Sequence, residues 1–350
     1  MTVPGGARER IDTLGMWEVT FGLADQLEAA LAGVAAPIAG LPSVDQIDQV
    51  LFVGMGGSGI AGDVVAALVE PTSPVPVVTL KDSVLPGFAG PRTLVVALSF
   101  SGSTAETLVA ATTALERGAA VVAVSAGGSL AALAESAGGV ALAVDRSIPM
   151  PRAALGALVA PVLAVADDVG LLDGGRGQGA AAVAQLRRRA AALTGPRSLA
   201  AGLARTVGRT WPLVYGAGAL GAVAATRWKN QVNENAKAPA FAHMLPEVCH
   251  NELCGWGQHG DVTRQVLTLI ELRHGYETAD IARRFTLMDE QMLEVVSDIC
   301  VVEAEGDGPL AQFFDLVLVG DVMSLHLADD AGVDPGPIPS LELMKAGLAG

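Results

Sequence analysis

Val50-Leu51-Phe52-Val53-Gly54-Met55-Gly56-Gly57-Ser58-Gly59-Ile60-Ala61-Gly62 is the stretch on which the fold turns. An apolar run enters, glycines permit a tight turn with bare backbone N–H groups, and an alanine- and valine-rich helix leaves. A second corner, Leu94-Val95-Val96-Ala97-Leu98-Ser99-Phe100-Ser101-Gly102-Ser103-Thr104-Ala105-Glu106-Thr107, repeats the plan with hydroxyls crowding the helix start. The unpaired first amides of a helix and the positive end of its dipole favour an anion, and hydroxyls add donors without a fixed charge. Such a corner suits the phosphate of a small metabolite. Glycine turns and serine N-caps also occur with no ligand, so neither corner decides alone. A rival exists for the first: Gly54-x-Gly56-x-x-Gly59 meets the dinucleotide fingerprint, and Asp82 closes the next strand about 20 residues on. The hydroxyl-rich second corner, which a dinucleotide fold does not need, favours the phosphate reading.

Working outward, strands are expected near 49–54, 75–80, 93–98, 120–125 and 140–144, and helices at about 58–70, 104–117 and 129–137. Alternation of this kind makes an α/β chain with a parallel sheet covered on both faces. Residues 1–11 are polar and expected to fray, and helical spacing runs from Ile11 to Ala35. After Pro149, residues 151–172 read as one apolar helix and 173–179 as a glycine-rich turn. The next helix carries Arg187, Arg188 and Arg189, read as a solvated face. Pro212-Leu213-Val214-Tyr215-Gly216-Ala217-Gly218 resembles another first strand and turn, with strands following near 265–272, 295–302 and 315–319 and helices at about 219–234, 277–292 and 309–314. The chain thus reads as a duplicated α/β unit joined by helices. Only the first half's turns carry hydroxyls, so a single phosphate site belongs there.

The 350 residues suffice for two domains with ample core. A formal charge of −15 argues against nucleic acid as a partner, and a phosphate ligand must find a local positive site within a repelling field. No run of 18 apolar residues lacks breaks and no basic leader with a cleavage site opens the chain, so neither a membrane span nor a secretory signal is expected. Cys249, Cys254 and Cys300 form no framework spacing, which fits a reducing cytoplasm.

Three clusters hold further chemistry. Arg227-Trp228-Lys229-Asn230-Gln231-Val232-Asn233-Glu234-Asn235-Ala236-Lys237 is a dense polar run; helical geometry puts Asn230 and Glu234 on one face, with Arg227 and Lys237 a turn either side. A carboxylate held there by amides suits a general base, the plainer reading being a solvent-facing Arg–Glu pair. Pro246-Glu247-Val248-Cys249-His250-Asn251-Glu252-Leu253-Cys254-Gly255-Trp256 places His250 among polar groups, able to move protons near neutral pH. A metal at Cys249, His250 and Cys254, with His243 or His259, lacks the paired ligand spacing such sites use. Arg152 follows the Pro149-Met150-Pro151 break, where a rigid backbone would present it to a phosphate or oxyanion.

The runs Gly54–Gly62, Ser99–Thr107, Pro151-Arg152-Ala153-Ala154-Leu155-Gly156, Arg227–Lys237 and Pro246–Trp256, with the closing Asp334-Pro335…Lys345, together resemble the bifunctional phosphoglucose/phosphomannose isomerase family. The resemblance is collinear over nearly the whole chain. It implies two sugar isomerase (SIS) domains, flavodoxin-like three-layer α/β/α units with mainly parallel sheets: 1–150 with the phosphate loop, connecting helices 151–205, a second SIS domain 206–330, and a tail 331–350 carrying Lys345. It also implies roles. Gly57, Ser58, Ser99, Ser101 and Thr104 match phosphate-binding positions. Glu234 matches the base that moves a proton between C1 and C2, and Arg152 the arginine near the enediolate. His250 matches a histidine that assists ring opening from the second subunit of a homodimer, and Lys345 a lysine near the sugar ring. Neither a metal nor a redox cofactor is implied.

Two departures accompany the match. Gly336 stands between Pro335 and Pro337 where the family commonly has a threonine linked to accepting both C2 epimers, and Ser103 and Ala105 replace an asparagine and an acidic residue. The leading expectation is a cytoplasmic isomerase of glucose 6-phosphate or mannose 6-phosphate. A non-catalytic phosphosugar-binding protein on the same scaffold and a nicotinamide dehydrogenase are the alternatives.

Overall fold

A computed structural model describes residues 10–349. Two short helices, α1 (Met16–Phe21) and α2 (Leu23–Gly33), lead into β1 (Gln49–Gly54). Then come α3 (Gly56–Val69), β2 (Val77–Leu80), β3 (Thr93–Leu98), α4 (Ala105–Glu116), β4 (Ala120–Ser125), α5 (Gly128–Ser136) and β5 (Val140–Ala143). These five strands pair in parallel in the order β2-β1-β3-β4-β5, with Val50 opposite Val77 on one side and Leu94 on the other. Near-continuous apolar strands are required because both faces are covered. Val50, Phe52, Leu94 and Val96 face a core shared with α2, α3 and the later helix α6 (Leu155–Val169), while Leu51, Val53, Val95 and Ala97 pack on Ala110, Ala114 and Leu130 of α4 and α5.

After α6 run α7 (Gly175–Ala192) and α8 (Leu199–Val207), and a second parallel sheet follows. Its elements are β6 (Trp211–Ala217), α9 (Gly218–Gln231), β7 (Phe241–Leu245), α10 (Gly260–Val266), β8 (Leu267–Arg273), α11 (Ala279–Met292) and β9 (Ile299–Glu303), in strand order β7-β6-β8-β9. One face meets α9 and the long α12 (Pro309–Ala331), and the other meets α11 through Phe285, Met288 and Met292. Helix α13 (Pro339–Ala349) closes the chain.

Two local expectations are overturned, and one strand comes without having been expected. Residues 315–319 are not a strand but the middle of α12, a helix apolar all round because it is buried; a short apolar run does not by itself separate the two. Although long and apolar enough to cross a membrane, α12 packs within the protein and carries buried Asp315 and Asp321. The arginine triplet is not one solvated face. Arg187 does reach exposed Asp25 and Glu28, but Arg189 is buried and forks onto Asp315 at 2.7 and 2.6 Å. Strand β7 was not expected, because Phe241-Ala242-His243-Met244-Leu245 is an edge strand with most of its side chains exposed.

Candidate active site

In sheets of this order, ligands bind beyond the carboxyl ends of the strands where the chain reverses direction across the sheet, here between β1 and β3. Both glycine–serine corners lie at that point. Ser58, in the first turn of α3, is buried, and its hydroxyl accepts the Phe100 N–H at 3.0 Å. Ser99 is buried too: its Oγ accepts the N–H groups of Gly102 (3.1 Å) and Thr104 (3.4 Å) and lies 2.8 Å from the Thr104 hydroxyl. Ser101 is exposed and accepts from Ser103 N–H and Oγ at 3.3 and 3.1 Å. Gly102 has φ +68°, and a Cβ on it would lie 1.6 Å from the Gly127 carbonyl oxygen, so the next loop nests against this one. The hydroxyls therefore brace the corner from within, while Ser101 and the first amides of α4 stand at its opening.

Arg152 abuts this corner. A Cβ on Gly57 would come within 2.9 Å of the Arg152 Cα and N, so only glycine lets the start of α3 approach that backbone. The Arg152 side chain is 2% exposed and almost fully engaged. Its Nε donates to Asn235 Oδ1 at 2.9 Å, and Nη2 donates to the carbonyls of Pro335 and Gly336, the latter at 2.7 Å. Nη1 has no hydrogen-bond partner among the described residues and lies 3.6 Å from Glu234 Oε2. Burial pushes the guanidinium below its ordinary pKa, Glu234 opposes that, and the nearby charge of Arg227 adds to it.

Glu234 is held on a one-turn π segment, Val232–Ala236, that continues α9. Among the described residues Arg227 and Glu234 form no ion pair. Arg227 turns instead to Asp321 of α12, forking onto it at 3.1 and 2.7 Å and donating to the Arg152 carbonyl at 2.7 Å. Buried Asn235 bridges Arg152 and the Ser324 hydroxyl. Lys237 ends the segment at φ 56°, an unusual conformation for a residue with a side chain, and its Nζ donates to the Glu234 and Pro335 carbonyls. Burial, then the charge of Arg152, depresses its pKa. The Glu234 side chain, 26% exposed, stays within reach of a ligand.

His250 lies elsewhere. It is exposed, five residues past the carboxyl end of β7, beside Val248, which packs with Tyr215 and Phe285 on the α11 face. Glu234 precedes the amino end of β7, and its neighbours Val232 and Ala236 belong to the core on the opposite face. The sheet and the length of β7, about 16 Å, separate the two within one chain. Lys345 is on α13, whose residues 341–348 are all exposed, and makes no ion pair with Glu234 among the described residues. Sequence reading assigned no role to Asn235, Asp321 or Asp334. The one available signal was two aspartates inside an apolar run, at 315 and 321, which marks buried charges in need of partners.

The chain matches two family models: SIS domain over residues 44–160, and bacterial phospho-glucose isomerase C-terminal SIS domain over residues 197–348. It is 32% identical over 341 residues to a bifunctional phosphoglucose/phosphomannose isomerase of Caldicellulosiruptor bescii, covering 95% of this chain and 99% of the relative. It is 31% identical to the like-named protein of Aquifex aeolicus, covering 85% and 90%. Among solved structures, the C-terminal domain of glucosamine-fructose-6-phosphate aminotransferase from Francisella tularensis superposes with TM-score 0.68 at 15% identity, covering 95% of this chain and 99% of that one. Glucosamine-6-phosphate deaminase from Thermotoga maritima gives 0.63 at 13%, covering 92% and 97%. Those two likenesses concern the fold.

Proposed function

Since the chain belongs to the bifunctional phosphoglucose/phosphomannose isomerase family, we propose that it interconverts fructose 6-phosphate with glucose 6-phosphate, mannose 6-phosphate or both, by proton transfer through an enediol. One observation carries the assignment of residues. The β1/β3 corner touches Arg152 at Gly57, and Arg152 Nη1, with no hydrogen-bond partner among the described residues, lies 3.6 Å from Glu234, which supports one hexose phosphate bridging the two.

The phosphate sits at the corner formed by Gly57, Ser58, Ser99, Ser101 and Thr104, where Ser101 and the first amides of α4 meet it and the buried Ser58 and Ser99 hydroxyls brace the loop beneath, anchoring the non-reacting end and supplying binding energy for orientation. The Glu234 carboxylate takes the proton from C1 or C2 of the open-chain sugar and returns it to the neighbouring carbon. As charge develops on the adjacent oxygen, Arg152 Nη1 donates to it; held in place beforehand, it reorganises little during the reaction. The net change is a proton shift that consumes no redox equivalent. His250 and Lys345 assist ring opening. The separation of His250 from Glu234 across β7 supports a homodimer in which the histidine comes from the second copy. Three free cysteines suit a reducing compartment, the cytoplasm.

Fructose 6-phosphate supplied to the purified protein, with coupled detection of glucose and mannose products, tests the function. Formation of either aldose phosphate is the expected result. Saturable sugar-phosphate binding with no exchange, at protein levels well above contamination, would leave a binding protein instead.

A further inference from the structure

The free donor of Arg152 is aimed by a segment outside both sheets. Asp334-Pro335-Gly336 crosses the guanidinium, and the buried Pro335 and Gly336 carbonyls both take hydrogen bonds from Nη2. Because the guanidinium is a rigid planar fork, fixing Nε on Asn235 and Nη2 on this strap fixes Nη1 as well. The strap is clipped to the start of the chain. Thr13 Oγ1 donates to Asp334 Oδ2 at 2.6 Å, and Thr13 N–H reaches Oδ1 at 3.4 Å. The same Oδ1 accepts the Gly336 N–H at 3.0 Å, closing the turn that points the two carbonyls at Arg152. Leu14 seats against Gly336 so closely that a Cβ there would lie 2.8 Å from the Leu14 Cγ. The clip is itself anchored. Asp12 accepts the first amides of α1, from Met16 and Trp17 at 2.7 and 3.0 Å, and the Trp17 ring meets His326 of α12 edge-on at 4.8 Å.

We infer that Thr13 and Asp334 are positioning residues for the isomerisation: through the strap they hold Arg152 so that Nη1 faces the reacting oxygen beside Glu234. This deepens, and rests on, the proposed isomerase reading. The strap carbonyls supply no charge chemistry of their own. Releasing them lets the guanidinium turn about its Asn235 bond, which moves Nη1 off the oxyanion while leaving the phosphate corner intact. The predicted signature is therefore a loss in kcat with little change in KM, since the phosphate anchor is shared by ground and transition states.

Thr13→Val removes the hydroxyl donor at nearly constant volume, and Thr13→Ser restores it. Gly336→Ala pushes the strap away from Leu14, whose Cβ and Cγ would lie 2.9 and 2.8 Å from the added methyl, and Leu14→Gly/Gly336→Ala removes both contacts. With fructose 6-phosphate, Thr13→Val and Gly336→Ala are expected to lower kcat about tenfold, within the range that a sub-ångström misplacement produces, with KM within about twofold. The Ser variant and the double variant are expected to recover most of it, at unchanged melting temperature. Glu234→Gln, measured alongside, separates the two claims. If the wild type turns over and Glu234→Gln does not, while Thr13→Val and Gly336→Ala keep the wild-type kcat, the positioning inference is wrong and the isomerase reading stands. Equal losses in the Val and Ser variants, or losses that follow melting temperature, also overturn it. A wild type without turnover removes the isomerase reading and the inference with it; an active Glu234→Gln leaves the isomerase reading but removes Glu234 from the mechanism, and with it the oxygen beside which Arg152 is held.

Discussion

Arg152 marks the division between structure and chemistry at the scale of single residues. Two of its nitrogens are spent on an amide and two carbonyls, and the third is buried beside a carboxylate with no hydrogen-bond partner among the described residues. A buried donor left unpaired costs about 1–3 kcal/mol, so its persistence at an accessible carboxylate is what a site waiting for an oxyanion looks like. Lysine cannot take this place: a point charge on a flexible stem cannot bond Asn235, span both strap carbonyls and still reach the oxygen. Arg152→Lys is expected to lower kcat/KM by about 100-fold or more, most of it in kcat, in steady-state kinetics. Retention within about twofold would show that any nearby positive charge suffices. Glu234 and Arg152 stood out in the sequence because one sits in a dense polar run and the other beside a proline break. Asn235, Asp321 and Asp334 did not, since each gains its role from a partner far along the chain that no local spacing reveals.

At the scale of elements, the β8–α11 packing carries a second buried carboxyl with a different consequence. Glu271 on β8 is wholly buried, faces Asp289 of α11, and lies 4.0 Å from the Arg273 Nη1. Burial first, and then Asp289, pushes its pKa from the ordinary 4.5 up to about 9. At neutral pH the folded protein keeps that proton and the unfolded chain has lost it. The native state then binds more protons, and stability falls as pH rises between those two values. Below pH 4.5 the contribution is fully present; above about 9 it is gone. Glu271→Gln removes the linkage, so the melting temperature of the variant relative to wild type should rise progressively from pH 5 to pH 9, by at least a few degrees. Parallel curves would contradict it. Strands β1, β3 and β4 were legible because each is an apolar run closed by a glycine or serine corner. The failures were the middle of α12, apolar on every side, and β7, whose exposed edge position leaves no periodic signal.

For the whole molecule, two parallel sheets share one core through α3, α9 and α12, and Arg152 links the Gly57 turn of the first to Glu234 on the π turn that follows α9 of the second. The alternation of strands and helices made this architecture readable from sequence, but not the relative placement of the clusters. Glu234 and Arg152 meet, whereas His250 lies across the second sheet and beyond it. The proposed site, which joins Glu234 to His250, therefore calls for two copies of the chain. Mixing Glu234→Gln with His250→Ala under conditions that exchange subunits measures this directly, with fructose 6-phosphate as substrate. Each variant alone should be inactive. The exchanged mixture should recover about a quarter of wild-type turnover, because half of the dimers are mixed and each of those carries one intact site. An active Glu234→Gln on its own, or a mixture as silent as its parts, would contradict the proposed catalytic site.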